Sequence, residues 1–294
     1  MEFLFSVFTP TYNRANTIGR TYEYLCKQTL RSFEWIIVDD GSTDNTEEIV
    51  QKWINTNKIS IVYLKQENGG KHRAFNRAVQ IAKGEIFICL DSDDYYIETA
   101  LEIIYSYHLI HKDNPWIAGF SCKSLDLHGN LIGTSLPVDE LVVSHYNLYN
   151  SLSVKGDKGL IYYTRILKEY PFPEFENEFF VTEALVLNRI SLRYKICCIK
   201  RSLEIKDYQR DGLSSKYRHL CLRNPNGYAL YINERNYFNL SFTNYVINAA
   251  SYVRYSLFAG KSFRNIYKEA INRRWTFIIA CFLGILLYIK DKSR

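Results

Sequence analysis

The sequence has no pattern that would indicate a disulfide framework, a zinc site or a secretory leader. Its seven cysteines are odd in number, scattered, and never arranged as CxxC pairs, so neither disulfides nor zinc is expected. The start of the chain has no basic segment followed by a long apolar stretch, and residues 3–9 are typical of a strand. These features predict a protein of the reducing cytosol.

Two well-known phosphate-binding loops are also missing. Neither GxGxxG nor GxxxxGK[ST] occurs at the first strand-to-helix turn, which argues against a dinucleotide-binding fold or a P-loop. Residues 9–14 there read Thr-Pro-Thr-Tyr-Asn-Arg. A sugar-phosphate nucleotidyltransferase would be expected to have a glycine-rich loop at this point, so that class remains only as an alternative.

The net charge of +6 is concentrated near the C-terminus. Between Arg254 and Arg274 there are six Lys or Arg against one acidic residue, Glu269, and residues 275–289 then form an apolar run with two interruptions. Fifteen residues at about 1.5 Å each fall short of a hydrocarbon core of roughly 30 Å. We therefore expect an interfacial or re-entrant helix on an anionic membrane, with a short span or a buried core helix left open.

The first 125 residues alternate short apolar runs with helical patterns, which is typical of a parallel sheet flanked by helices. Strands are predicted at 3–9, 33–38, 59–64 and 85–90. The pattern loosens afterwards, but no linker or repeat separates the two halves, so the same α/β sheet is expected to continue through 159–164 and 194–199.

The expected domain organisation follows from these patterns. Residues 1–215 are predicted to form one domain, with a nucleotide-binding half at 1–125 and an acceptor half at 126–215. Residues 216–294 look helical and form a C-terminal extension that contains the apolar segment 275–289.

Polar clusters follow four of the predicted strands, at 9–14, 39–44, 68–73 and 91–94. In open α/β sheets, ligands bind at this carboxyl edge. The last cluster, Asp91-Ser92-Asp93-Asp94, places three carboxylates in four positions, which favours a hard divalent cation. A helix cap would explain one acidic residue but not three.

Three of these clusters carry a resemblance. Residues 9–14, the segment Val-Asp-Asp-Gly-Ser-Thr-Asp at 38–44, and Leu-Asp-Ser-Asp-Asp at 90–94 resemble the motifs of family 2 glycosyltransferases of the GT-A fold, of the bacterial polysaccharide-building type. The resemblance covers roughly residues 4–215. It implies Mn²⁺ or Mg²⁺ held against a donor diphosphate by Asp93 and Asp91, with Asp91 near the ribose and Asp94 structural.

The same resemblance suggests which side chains bind the nucleotide-sugar. Asp39 would accept from a pyrimidine N–H, Thr11 would position the base, and Arg73 would lie near the uracil or diphosphate. Cations at a helix start oppose the helix dipole, which suggests an anionic ligand there, although a solvated helix start is an alternative. Further candidates at the same loops are Thr9, Asn13, Arg14, Asp40, Lys71 and Ser92, although Asp40 also suits a turn. Arg210 lies in the polar segment 207–215, which is either a loop that closes over the donor or an exposed turn.

The catalytic base is expected in residues 176–184, which resemble the segment where related transferases carry an acidic residue just inside a helix. Glu183 is the first candidate, with Glu178 and Glu176 as alternatives, and a helix start with Glu at the positive dipole end is the structural interpretation. The family's more usual Glu-Asp pair is absent.

The sequence thus predicts an inverting, metal-dependent glycosyltransferase that uses a nucleotide-sugar donor, UDP-linked by preference. The expected acceptor is a hydroxyl of a glycan or of a polyprenyl-linked oligosaccharide, and the expected location is peripheral, on the cytoplasmic face of the cell membrane. A catalytically inactive, membrane-docked binding protein of the same fold is an alternative. Nucleic acid is not expected, because the acidic cluster would repel phosphate without a metal.

Overall fold

The computed structural model describes residues 3–136, 138, 140–209, 217–271, 275 and 277–293. The chain divides into two compact units. The first comprises Met1–Pro171 and Leu187–Arg210, and the second comprises Phe172–Val186 and Asp211–Arg294. The sequence placed a single boundary near residue 215, whereas the segment 172–186 belongs with the C-terminal helices.

The strands of the first unit form one sheet within the described residues. Their order is β3-β2-β1-β4-β8-β6-β9-β5, with β7 also pairing with β9. The strands are β1 (Phe5–Thr11), β2 (Phe33–Asp39), β3 (Ser60–Lys65), β4 (Ile86–Cys89), β5 (Tyr95–Tyr96), β6 (Ile117–Asp126), β7 (Leu141–Val143), β8 (Leu160–Tyr163) and β9 (Lys195–Lys206).

The sheet is mostly parallel, as expected for alternating strands and helices. Strands β3, β2, β1 and β4 run parallel to one another, and β6 runs parallel to β9, whereas β8 pairs antiparallel with both β4 and β6. Both faces of β2 are buried along its whole length, which explains its nearly continuous apolar sequence. The expectation that the second half of the chain continues the same sheet is confirmed.

Helices follow the strands in the order that the sequence patterns indicated. In α2, Glu47 and Glu48 lie in the first turn, where the helix dipole favours negative charge. The helices up to residue 191 are α1 (Ile18–Cys26), α2 (Thr46–Thr56), α3 (Lys71–Ile81), α4 (Ala100–His111), α5 (His145–Asn150), α6 (Thr164–Glu169) and α7 (Glu183–Ser191).

The second unit is helical in the part that the structure describes. Its longest helix, α10, packs against α12 at Gly284, where a Cβ atom would lie 2.6 Å from the carbonyl oxygen of Ala250. None of the described helices combines the length and the apolar content that crossing a bilayer requires. The helices are α8 (Tyr217–Arg223), α9 (Pro225–Glu234), α10 (Phe242–Phe258), α11 (Phe263–Glu269) and α12 (Phe277–Lys292).

The sheet register brings the first two polar loops together. Thr11 at the end of β1 lies opposite Asp39 at the end of β2, and the backbone N–H of Asp40 donates to the carbonyl oxygen of Thr11 over 2.8 Å. The carboxyl end of β4 is adjacent to β1 on its other side. The loops that follow β1, β2 and β4 therefore meet at one edge of the sheet.

The contact between β6 and β8 gives a test of this packing. A Cβ atom on Gly119 would lie 2.1 Å from the carbonyl oxygen of Ile161, so Gly119→Ala should lower the free energy of unfolding by about 1–3 kcal/mol, as overpacking does. The matched control is Gly19→Ala, because Gly19 is an exposed position of α1 with nothing within 4 Å of its would-be Cβ. It should raise stability by about 0.5–1 kcal/mol. Urea denaturation of both variants measures the difference, and equal stabilities would contradict the close strand contact.

Candidate active site

The acidic tip, defined as Asp91 to Asp94, lies directly after β4. A turn closes it, with the N–H of Asp94 donating to the carbonyl oxygen of Asp91 over 3.1 Å. Desolvation and the neighbouring charge of Asp91 raise the pKa of Asp93. The tip is thus a place where negative charge is concentrated in partly dehydrated surroundings, as a cation site requires.

Lys71 at the start of α3 reaches the tip. Its Nζ lies 2.5 Å from Oδ1 of Asp91. Desolvation acts to raise the pKa of Asp91, but Lys71, Lys206 and Arg14 together hold it below its usual value. Asp91 therefore stays ionised; Lys71 contacts the tip and Arg14 acts on it electrostatically, while their contact with the nucleotide-sugar stays a prediction.

Asp94 has a different environment from its two neighbours. It is buried, accepts from Lys206 Nζ over 2.8 Å through Oδ2, and accepts from the N–H of Asp207 over 3.0 Å through Oδ1. Desolvation raises the pKa of Asp94 to about 7, an effect that Lys206 partly offsets. Lys206 also lies 3.3 Å from Oε1 of buried Glu204. These contacts support the structural role expected for Asp94.

Arg20, which the sequence did not indicate as a site residue, connects the segment just after β9 to the acidic tip. Arg20 in α1 donates to the carbonyl oxygen of Asp93 over 3.1 Å and to Oδ2 of Asp207 over 2.5 Å. The next residue, Tyr208, donates from its hydroxyl to Asp157 over 2.9 Å. The segment that enters the loop is thereby fixed on two sides. Arg210, the loop residue proposed to touch the diphosphate, lies outside the described residues.

Asp39 and Thr11 lie side by side at the ends of their strands, where a nucleobase was expected. Asp39 is fully buried and accepts from the N–H of Ser42 over 2.7 Å and from the hydroxyl of Tyr63 over 2.6 Å. Thr11 Oγ1 is also buried and has no hydrogen-bond partner among the described residues. A buried hydroxyl that lacks a partner is costly to the fold, and the expected contact of Thr11 with the base stays a prediction.

Asn13 and Asp40 hold the loops rather than point to a ligand. Asn13, with a φ of 53°, accepts through Oδ1 from the N–H of Thr43 over 2.8 Å. Asp40 accepts from the N–H groups of Gly69 and Gly70, each over 2.8 Å. Both carboxylate oxygens of Asp40 thus fix the turn before α3, as both oxygens of Asp39 are engaged at the end of β2, and a contact of either residue with the nucleotide-sugar stays a prediction.

Thr9 differs from the expectation, whereas the role of Arg73 stays a prediction. Thr9 is fully buried and accepts from the indole N–H of Trp35 over 2.9 Å, so its hydroxyl belongs to the core and not to the donor site. Arg73 lies in the first turn of α3 and donates to the carbonyl oxygen of Gly69 over 2.6 Å. Ser92 is buried within the tip.

The residues of the tip fit a divalent cation that is held jointly with a substrate. No group of three His, Cys, Asp or Glu side chains forms a metal site in the described part of the chain. Asp91 and Asp93 would supply two carboxylates. Mg²⁺ in particular is usually bound by one or two carboxylates together with substrate phosphates. The donor set therefore agrees with a metal that binds along with a diphosphate.

The three candidate bases belong to the second unit. Glu183 is half-buried and begins α7, as the sequence predicted. Glu178 is buried, and its carboxylate accepts from the N–H groups of Asn226 and Gly227 at the start of α9, over 2.6 and 2.8 Å. Glu178 thus accepts hydrogen bonds from backbone N–H groups that would otherwise lack partners at the start of the helix, which argues against it as the catalytic base. Glu176 is exposed.

The pairing of Lys206 with Asp94 gives a stability prediction. Both side chains are almost completely buried, so Lys206→Met should lower the free energy of unfolding by about 3 kcal/mol, because it leaves buried carboxylates without their cation. The double variant Lys206→Met/Asp94→Asn should recover at least about 1 kcal/mol of that loss, measured by urea denaturation. Strictly additive effects would show that the pair is not coupled.

Comparison with known proteins identifies the first part of the chain. Residues 6–123 match the family described as Glycosyl transferase family 2. Glycosyltransferase GlyG of Streptococcus pneumoniae serotype 4 is 34% identical over 149 residues, which are 49% of this chain and 48% of that protein. TarS of Staphylococcus aureus, a poly(ribitol-phosphate) beta-N-acetylglucosaminyltransferase, is 38% identical over 100 residues, 33% of this chain and 18% of that protein. The matches thus span about half or less of these relatives.

Solved structures share the fold. TarS 1-349 in complex with UDP-GlcNAc has a TM-score of 0.63 and 20% identity, and the match covers 97% of this chain and 89% of that one. Mannosyltransferase PcManGT from Pyrobaculum calidifontis, in complex with GDP-Man and Mn²⁺, has a TM-score of 0.56 and 16% identity over 98% and 88% of the two chains. At these identities the likeness shows an α/β, GT-A-like fold. The sequence match to glycosyl transferase family 2 thus covers residues 6–123, and the likeness of fold extends over nearly the whole chain.

Proposed function

We propose that the protein is a metal-dependent, inverting glycosyltransferase that moves a sugar from a UDP-sugar to an acceptor hydroxyl. The observation that carries the proposal is the pair of carboxylates Asp91 and Asp93 just after β4, at the sheet edge where Thr11 ends β1 and Asp39 ends β2. A nucleotide diphosphate needs a cation and a base pocket at one edge of the sheet, and these residues offer both. The UDP-GlcNAc complex of TarS and the GDP-Man and Mn²⁺ complex of PcManGT are in keeping with this donor class.

The chain's own residues would bind and orient the donor. Thr11 and Asp39 would meet the base, and Lys71 and Arg14, which both act electrostatically on Asp91, would balance the charge of the phosphates. A bound Mn²⁺ or Mg²⁺ would offset the negative charge that develops on the diphosphate as the glycosidic bond breaks. Arg20 and Lys206 would hold the acidic tip in place and leave Asp91 and Asp93 for the cation.

Glu183 is proposed as the general base. It would accept the proton of the acceptor hydroxyl while that oxygen forms a bond to the anomeric carbon and the nucleoside diphosphate departs. A single displacement of this kind inverts the configuration at the anomeric carbon. Glu178 is bound to the N-terminus of α9, so Glu183 and the exposed Glu176 are the two remaining candidates of this segment.

The proposed acceptor is a glycan or a lipid-linked oligosaccharide used for a surface polysaccharide. Relatives named for such work include TarS and TuaG of Bacillus subtilis, a putative teichuronic acid biosynthesis glycosyltransferase that is 41% identical over 100 residues. The proposed location is the cytoplasmic face of the membrane, where nucleotide-sugars and lipid-linked acceptors meet. These assignments rest on the resemblance rather than on a contact in the structure.

The donor class can be tested by thermal unfolding with a panel of UDP-, GDP- and CMP-sugars, each with and without Mn²⁺. A ligand that binds the native state raises the apparent melting temperature. We expect the largest rise with a UDP-sugar plus Mn²⁺, and no comparable rise with either alone. The absence of a rise with every nucleotide-sugar would contradict the proposed function. Binding without turnover in a transfer assay would favour an inactive binding protein.

Asp93→Asn tests the metal site. The amide removes the negative charge but keeps the size, so Mn²⁺-dependent binding of the UDP-sugar should weaken by at least about tenfold, or 1.4 kcal/mol. Isothermal titration with and without Mn²⁺ measures the loss. The control Asp113→Asn changes an exposed aspartate of the first unit and should bind as the unchanged protein does. Equal metal dependence in both variants would count against Asp93 as a ligand.

Glu183→Gln tests the base. Donor affinity should stay within about threefold, while kcat should fall by about 10² to 10⁴, the usual contribution of general base catalysis. Glu176→Gln serves as the control and should retain near-normal turnover. Steady-state kinetics at saturating donor distinguish the two. A large loss in Glu176→Gln with little change in Glu183→Gln would move the role to residue 176.

A further inference from the structure

One side of α12 presents an apolar surface that nothing in the described part of the chain covers. We call it the outer face of α12. The opposite side of the helix is buried through Phe277, Ala280 and Gly284, and Gly284 allows the close approach of α10. The outer face consists of side chains that are each between 37% and 67% exposed: Ile278, Ile279, Phe282, Leu283, Leu286, Leu287 and Ile289.

The arrangement of these residues is continuous. The series Ile278, Phe282, Leu286 and Ile289 has the helical spacing of three or four positions, and the other members lie next to it, so the residues share one side of the helix over about three turns. Trp275, just before the helix, is 78% exposed, and exposed aromatic side chains of this kind are favoured where an apolar layer meets water. A contiguous patch of this kind usually marks an interaction site rather than ordinary surface.

The charge of the C-terminal segment indicates what kind of partner the outer face of α12 would bind. From Arg254 to the C-terminus the chain has nine Lys or Arg and two acidic residues. Both acidic side chains are already engaged with basic ones, Glu269 with Lys261 over 2.6 Å and Asp291 with Arg254. The segment that contains the patch is therefore basic in sequence, and both of its acidic side chains are already paired. A second copy of the chain would bring the same positive charge against it.

We infer that the outer face of α12 lies on the surface of an anionic lipid bilayer, with the helix parallel to the membrane plane. An apolar face flanked by Lys and Arg is the pattern of helices that bind at this interface. The sixteen residues of α12 measure about 24 Å at 1.5 Å each, less than a hydrocarbon core of roughly 30 Å. This inference names the part of the chain that would hold the protein at the membrane, and it does not depend on the glycosyl transfer reaction.

The test is co-sedimentation of the full chain with vesicles of phosphatidylglycerol and phosphatidylcholine. Binding should be strong with phosphatidylglycerol, weak with phosphatidylcholine alone, and reduced by raising the salt from about 0.1 M to 1 M, which shortens the screening length from about 10 to 3 Å. The fluorescence of Trp275 should shift to the blue on binding, and Trp275→Phe should remove that shift. Equal binding to neutral and anionic vesicles, or none to either, would overturn the inference.

A pair of matched variants locates the contact. Phe282→Ser/Leu286→Ser replaces two exposed side chains of the outer face and should weaken vesicle binding by at least about tenfold while leaving the melting temperature nearly unchanged. The control Leu109→Ser/Ile110→Ser changes two apolar side chains of α4 that are exposed to a similar degree, 47% and 64%. It should bind vesicles as the unchanged protein does.

Two outcomes would overturn the assignment to lipid. One is equal loss of vesicle binding in both double variants. The other is a concentration-dependent doubling of mass in the absence of lipid that Phe282→Ser/Leu286→Ser abolishes, because the patch would then bind a second copy. Transfer to a soluble acceptor should be the same in all of these proteins. A failure of the lipid inference can therefore be told apart from a failure of the proposed function.

Discussion

The concentration of carboxylates at the end of β4 is the constraint on which the rest of the site depends. Three aspartates in four positions repel one another, and the fold offsets this by pairing two of them with lysines. Lys71 lies against Asp91 and Lys206 against Asp94, while Asp93 has desolvation and a neighbouring negative charge that raise its pKa. The negative charge of Asp93 is therefore disfavoured, and a divalent cation bound with a diphosphate would relieve this.

The parallel sheet explains why the partners of this tip come from distant parts of the sequence. Parallel strands end at the same edge, so the loops after β1, β2 and β4 meet there although tens of residues separate them. The return of the chain through β9 adds Lys206 and Asp207, and Arg20 ties Asp207 to the carbonyl of Asp93. The entry to the polar loop and the acidic tip are thus parts of one hydrogen-bonded unit.

The sequence was sufficient for those features that depend on local pattern. The strands at the nucleotide edge, the positions of the polar loops and the start of α7 at Glu183 follow from apolar runs, turn residues and motif order, and the structure has them within a few residues. The sequence could not show that Thr9 belongs to the core and Thr11 to the strand end, because both are threonines of β1. Only the folded structure places the Thr9 hydroxyl against the indole of Trp35. Lys206 could not be found either, since its partner lies 112 positions away. Pairing of distant charges is a property of the folded chain.

The central claim is that Asp91 and Asp93 hold a divalent cation together with the donor's diphosphate. Anomalous diffraction at the manganese edge, from crystals grown with UDP and Mn²⁺, tests it most directly. We expect one strong peak within about 2.5 Å of carboxylate oxygens of the tip, bridged to phosphate oxygens of UDP. A peak elsewhere on the chain, or UDP bound at this edge with no peak beside Asp93, would contradict the account.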